Sequence, residues 1–165
     1  MALPAEFEEV EPAFYHHPKE ELPTVNLGHV RVRVMIGSAY GVSSPVKRYG
    51  GALYLEAHLR RGQTLTLPPA PERGLYVVSG SVQLDEQVVA AHSMAVLSPA
   101  SDGTLTAHDD AIVALVGGDP MPHRFLEWNF VSSRQERILE AKEDWWAGRF
   151  PSVPGDDVEF IPLPD

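Results

Sequence analysis

Glu56 and His58, two residues apart in the stretch ALYLEAHL, are the pair in this chain best suited to hold a divalent cation. Alternate residues of a strand face the same way, so their carboxylate and imidazole would converge on one point. Two ligands fall short of a catalytic metal site, which usually takes three protein ligands and keeps a position open. The apolar Leu53, Leu55, Ala57 and Leu59 opposite them make a solvated outer sheet face the plainer reading. The other histidines offer less. His16 and His17 are adjacent and point apart in an extended segment, and His92 sits beside Ser93 in a turn. His108 precedes Asp109 and Asp110, a cluster that turn-forming aspartates explain, and His123 follows two prolines in a loop. VGGDP lacks the Lys-Ser/Thr of a phosphate loop. The absence of cysteine excludes thiolate nucleophiles, disulfides and iron–sulfur ligation.

The elements that would position these residues are strands. VRVRVM (30–35) and ALYLEAHL (52–59) alternate apolar with polar, as half-buried strands require. Short runs follow at 64–67, 75–80, 81–84, 87–90, 94–98, 104–107 and 111–118, separated by turn chemistry such as RRGQ and SPASDG. That spacing is the spacing of a sandwich or barrel. One helix breaks the series. SSRQERILEAKEDWWAGRF offers Ser132 or Ser133 as N-cap and Gly148 as the residue past the C-cap. Ile138, Trp145 and Trp146 lie on its apolar stripe and are expected to dock it on the barrel. The tail PSVPGDDVEFIPLPD is too rich in proline for regular structure and reads as a strap.

The stretch TLPPAPERGLYVVSG (66–80) has the rhythm of a cupin-type jelly-roll barrel, whose metal is held by H-x-H, a Glu shortly after and a later His. Anchored on Gly80, the Glu position falls at Arg73. The histidine positions fall at Thr66 and Pro68, or at Leu67 and Pro69 in a shorter spacing. Anchored on Pro99, the later histidine position falls near Thr104. None of Thr66, Pro68, Arg73 and Thr104 is an ordinary ligand, and a guanidinium at Arg73 would repel a cation. The expectation is a barrel without a metal site.

The run WNFVSSRQERILEAKEDWWAGRFPSVPGDDVEFIPLPD resembles the C-terminal signature of bacterial pirin-like proteins. ALPAEFEEVEPAFYHH is similar to the segment with which that family crosses from its first barrel to its second, and GSAYGVSSPV to the glycine-rich stretch that follows. The resemblance covers essentially the whole chain and implies the second half of a bicupin. In that family the iron site, built on H-P-H with a further His and a Glu, belongs to the first barrel. No such run occurs here, so no family ligand transfers to this sequence and no cofactor is expected in this chain. The family's quercetin 2,3-dioxygenase and transcriptional-cofactor activities depend on that first barrel.

The fold expected is all-β, a cupin-type jelly-roll β-barrel with one C-terminal α-helix and an irregular Pro-rich tail. At 165 residues it reads as a single domain. Its parts are an extended N-terminal segment to residue 27, a barrel over 28–131, a helix over 132–147 docked on the barrel, and a strap over 148–165. A formal charge of −10 is the wrong sign for direct nucleic-acid binding. The first residues show no signal-peptide pattern and no apolar run reaches membrane-spanning length, so a cytoplasmic protein is expected. The function expected is a non-catalytic module that completes a pirin-type bicupin and meets protein partners, pairing with a pirin N-terminal-type barrel or with itself. The alternatives are a dioxygenase-type enzyme using Glu56 and His58, and a small-molecule-binding barrel lined by Tyr54 or Tyr76.

Overall fold

A computed structural model describes residues 2–98, 101–153, 155 and 158–164. The chain forms two compact units where the sequence read as one domain: Pro12–Pro120, and Met1–Glu11 together with Met121–Asp165.

The larger unit is the β-structure. It comprises β1 (Thr24–Leu27), β2 (Val30–Ile36), β3 (Ser38–Ala39), β4 (Val42–Ser43), β5 (Leu53–Leu59), β6 (Thr64–Thr66), β7 (Glu72–Ser79), β8 (Ser81–Leu84), β9 (Gln87–Ala90), β10 (Met94–Val96), β11 (Thr104–Ala107) and β12 (Ala111–Gly118). They assemble into a six-stranded sheet in the order β1-β2-β5-β12-β7-β10 and a four-stranded sheet in the order β6-β11-β8-β9, with β3 and β4 as a small ribbon. Apart from the hairpins β1-β2 and β8-β9, neighbours are non-consecutive, which marks a jelly-roll connectivity, and the observed pairings are antiparallel.

Alternation places the core between the sheets. On β5, Leu53, Leu55, Ala57 and Leu59 are buried while Tyr54, Glu56 and His58 are not. The opposing sheet supplies Leu65, Val82, Leu84, Leu105 and Ala107. These side chains form one apolar cluster with Val32, Val34, Leu75, Val77, Val113 and Leu115, which fills the interior. Gly80 closes the turn after β7 at φ +75°, where an added Cβ would come within 2.3 Å of the Asp110 carbonyl, so only glycine fits. Within the N-terminal segment, read from sequence as extended, Thr24–Leu27 pairs with β2 as an edge strand. The barrel ends near Pro120, earlier than the expected residue 131.

The smaller unit holds the hairpin β13 (Phe125–Glu127) and β14 (Phe130–Ser132) and the helix α1 (Gln135–Trp146). The helix packs on this hairpin. Its end matches the sequence reading. Gly148 at φ +66° donates its N–H to Trp145 O, and Arg149 N–H to Asp144 O, a Schellman motif. Its start does not. The N-cap is Arg134 with no side-chain cap, because the Ser132 hydroxyl and the Ser133 backbone N–H both donate to Glu8 in the N-terminal segment. Of the expected docking residues, Ile138 is buried and Trp145 half-buried, but Trp146 is 81% exposed. Successive helical positions lie about 100° apart, so one of two adjacent tryptophans must leave the stripe. Trp145 contacts the rings of Trp128, Phe130, Phe150 and Phe160, and its indole N–H donates to Ile161 O at 2.9 Å. The strap is thereby tied to the helix.

Candidate functional site

The template positions come together at one end of the β-unit, on β6, β7 and β11. Thr66 and Thr104 are cross-strand partners, with their hydroxyl oxygens 3.3 Å apart. Both belong to the outward row of the four-stranded sheet, for Leu65, Leu67 and Leu105 on either side of them are the buried residues. Strand periodicity is two, so Thr66 cannot present its side chain to the interior while its neighbours do. Pro68 is buried and its side chain has no donor atom to offer a metal. Pro99, the anchor of the second template, lies outside the described residues.

Arg73 is a structural residue. Its guanidinium donates to Ser101 O at 2.9 Å and lies so close to Gly103 that a Cβ there would stand 2.5 Å from Nη1. Gly103, at φ +71°, lets the loop before β11 pass over the cation. Beside this cluster the Tyr40 hydroxyl donates to Thr66 O at 2.8 Å, and burial pushes its pKa up to about 12. Hydroxyls, a guanidinium and backbone carbonyls make up the bonded rim at these positions.

Glu56 and His58 do share a face, on the outer side of the six-stranded sheet. His58 Nε2 lies 2.7 Å from Glu56 Oε1, and Arg33 Nη1 lies 3.8 Å from the same oxygen. The pair is spent on itself and on a neighbouring cation. Among the described residues no group of three or more His, Asp or Glu stands close enough together to hold a metal ion. Tyr54 and Tyr76 lie on the same outer face and do not line the interior.

Asp109 accepts from the Ser81 hydroxyl and Asp110 from the Arg61 backbone N–H, partners distant in sequence, where local turn bonds were the expectation. An apolar groove of about 370 Å³ runs along α1, lined by Lys142, Glu143, Trp146, Arg149 and Leu163. Its cations pair with Glu127 and Asp144.

Sequence reasoning missed Glu8. Its carboxylate, with a side chain 8% exposed, accepts from Ser133 N–H and from the hydroxyls of Ser132 and Ser133. Arg124 Nε lies 2.9 Å away as an ion pair, off the line of a hydrogen bond. Burial works to raise the carboxyl pKa, but these donors together with Arg124 outweigh it, and the net shift is downward. A glutamate in a Pro- and Glu-rich leader carries no local signal for a partner more than a hundred residues away.

With that geometry in place, the sequence pattern described as the pirin C-terminal cupin domain matches residues 54–151. The chain belongs to the pirin family. The resemblance carried by the WNFVSS, GRF and FIPLP motifs is upheld. A pirin-like protein of Caulobacter vibrioides is 42% identical over 167 residues, an alignment covering 100% of this chain and 58% of the relative. Human pirin is 27% identical over 145 residues, covering 82% of this chain and 50% of itself. The crystal structure of a quercetin 2,3-dioxygenase from Acinetobacter baumannii superposes with a TM-score of 0.86 at 24% identity, over 100% of this chain and 56% of that one. At that identity the likeness is one of fold. The chain therefore spans little more than half the length of these pirin-type relatives, and what it matches is their C-terminal cupin domain.

Proposed function

We propose that this chain is a pirin-type C-terminal cupin module without a metal site of its own, whose role is to complete and steady a metal-bearing first barrel and to present surface to protein partners. The supporting observation is the interior. Where a metal barrel directs histidines and a glutamate inward, Leu65, Leu67, Leu75 and Leu105 face in and are buried. A partner barrel of the pirin N-terminal type, or a second copy, is the natural companion, and a cytoplasmic location suits such a module. No helix among the described residues is long and apolar enough to cross a membrane.

The Glu56–His58 contact favours a second reading, a quercetin 2,3-dioxygenase-like enzyme with a degenerate site on the sheet exterior. Quercetin turnover separates the two. Under the proposed reading, the chain with added ferrous ion stays at the background rate of buffer and ion. A metal-dependent rate that disappears in His58→Ala would replace the proposed reading with the second.

A further inference from the structure

The smaller unit is assembled from both ends of the chain, Met1–Glu11 and Met121–Asp165. The first piece brings acid and the second receives it. Residues 1–11 include four glutamates and no Lys or Arg. A single 3-10 turn at Ala5–Phe7 closes with the Glu8 N–H on Ala5 O and sets Glu8 and Glu9 side by side at the start of α1. Glu8 takes the donors of Ser132 and Ser133. Glu9 pairs with Arg134 and with Arg137, whose Nε donates to it at 3.2 Å; Arg137 also lies 3.9 Å from Glu140.

The receiving groups are held in place by the longer piece itself. The Arg124 side chain is only 10% exposed, and its Nη1 donates to Pro122 O and His123 O. Its Nε, buried and without a hydrogen bond, is left turned towards the Glu8 carboxylate. Ser132 Oγ accepts from the Arg134 N–H, which fixes the hydroxyl that donates to Glu8. The helix has no side-chain cap of its own, so its positive end is open to an incoming anion. Donors fixed in advance bind a carboxylate with little further ordering cost. The arriving piece is held differently. Ala2, Leu3 and Phe7 are only half-buried and Val10 is exposed, so charge and hydrogen bonds hold it more than apolar burial does. Residues 12–16, which follow it, are exposed and irregular and form a tether.

We infer that Arg124, Ser132, Ser133, Arg134 and Arg137 form a binding site for an acidic peptide that presents two adjacent carboxylates from a turn, and that Glu8 and Glu9 occupy it as an exchangeable latch. Two arguments choose that partner. Three arginines gathered on one face of a chain of net charge −10 complement an acidic segment. The positions also differ in depth: the first carboxylate is 8% exposed among hydroxyls and Arg124, and the second is 54% exposed between two guanidinium groups. A diacidic turn fills both, whereas an isolated carboxylate or phosphate fills only the first. The tether holds the latch at an effective concentration on the order of millimolar, so a second acidic chain enters only by outbidding it.

The probe is a fluorescein-labelled peptide copied from residues 2–12, ALPAEFEEVEP, and its binding is read by fluorescence anisotropy. The receivers are the full parent chain and its Glu8→Ala/Glu9→Ala variant, whose latch has lost both carboxylates. The variant is expected to bind the peptide at least about tenfold more tightly than the parent does. That binding disappears when the two central glutamates of the peptide are replaced by glutamine. It weakens about tenfold when Arg134→Gln and Arg137→Gln are added to the variant, and weakens again in raised salt. Equal binding by parent and variant places the peptide elsewhere and overturns the inference. A folded variant that ignores the peptide, or a glutamine peptide that binds as well, overturns it too. Fluorescence of the cluster around Trp145 reports whether the smaller unit is folded. Should the double variant lose that signal, Glu9→Ala alone, at the more exposed carboxylate, takes its place. Binding about threefold tighter than the parent's then supports the latch, and unchanged binding overturns it.

Discussion

The outward rows of two strands, one in each sheet, are built from the same alternation and end in opposite chemistry. On β11 the outward residues are Thr104 and Thr106; on β12, the next strand in the chain, they are Ile112, Ala114 and Val116. Both strands bury their other face in one core, through Leu105 and Ala107 on one and Val113 and Leu115 on the other. Inward residues therefore say only that a strand belongs to a sandwich. What it meets on its far side is written in the outward residues.

The comparison breaks first at the boundary between inward and outward residues. Leu115→Ala removes a fully buried side chain shared by both sheets and is expected to cost about 4 kcal/mol, against about 0.5 kcal/mol or less for Val116→Ala next to it. Urea unfolding followed by far-UV circular dichroism measures both. Equal losses would mean that the outer face is already packed in this chain.

The helix repeats the contrast at adjacent positions. Trp145→Ala empties the centre of an aromatic cluster and is expected to destabilise the smaller unit by about 3 kcal/mol, while Trp146→Ala stays within about 0.5 kcal/mol of the parent. Trp128 fluorescence reports the melt in each case, since it belongs to the same cluster. A costly Trp146→Ala would show that residue to be held by something other than the contacts described.

A smaller effect separates enclosed from open carboxylates. The Glu8 carboxyl pKa lies below its ordinary value of 4.5. Its contribution to stability is therefore complete above that value and is lost as pH falls through the lowered folded pKa. Glu8→Gln is expected to cost about 2 kcal/mol at pH 7, by weakening bonds to Ser132, Ser133 and Arg124. The difference from the parent narrows as the pH falls through the acidic range below 4.5, where the parent's Glu8 is itself protonated. Tryptophan fluorescence during denaturation across the acid range gives both curves, and parallel curves would contradict the assignment.

Much of this was legible in the sequence, for reasons that also mark where legibility stops. Alternation on β2 and β5 identified strands because burial on one side writes a period of two. Gly148 ended the helix because the Schellman turn needs a left-handed residue. The helix start was misread, since Glu8 engages the serines that would have capped it. A metal-site template placed Thr66 among interior positions, whereas the strand turns it outward and leaves Leu65 and Leu67 inside; with a period of two, an error of one residue reverses the face. Arg73 was recognised as incompatible with a cation, but its hold on Ser101 and its fit over Gly103 depend on a loop whose path the sequence does not encode locally. That β12 is apolar on both faces was visible in AIVALVGG and went unread, because such a run looks like any buried strand until its neighbours are known.

Metal stoichiometry tests the central claim most directly. The purified chain is incubated anaerobically with excess ferrous or manganous ion, desalted, and its metal measured by mass spectrometry against protein concentration. With leucines at the inward positions and Glu56 already engaged by His58 and Arg33, the account predicts retention far below one ion per chain, unchanged in His58→Ala. Retention near one ion per chain that is lost in His58→Ala would contradict it.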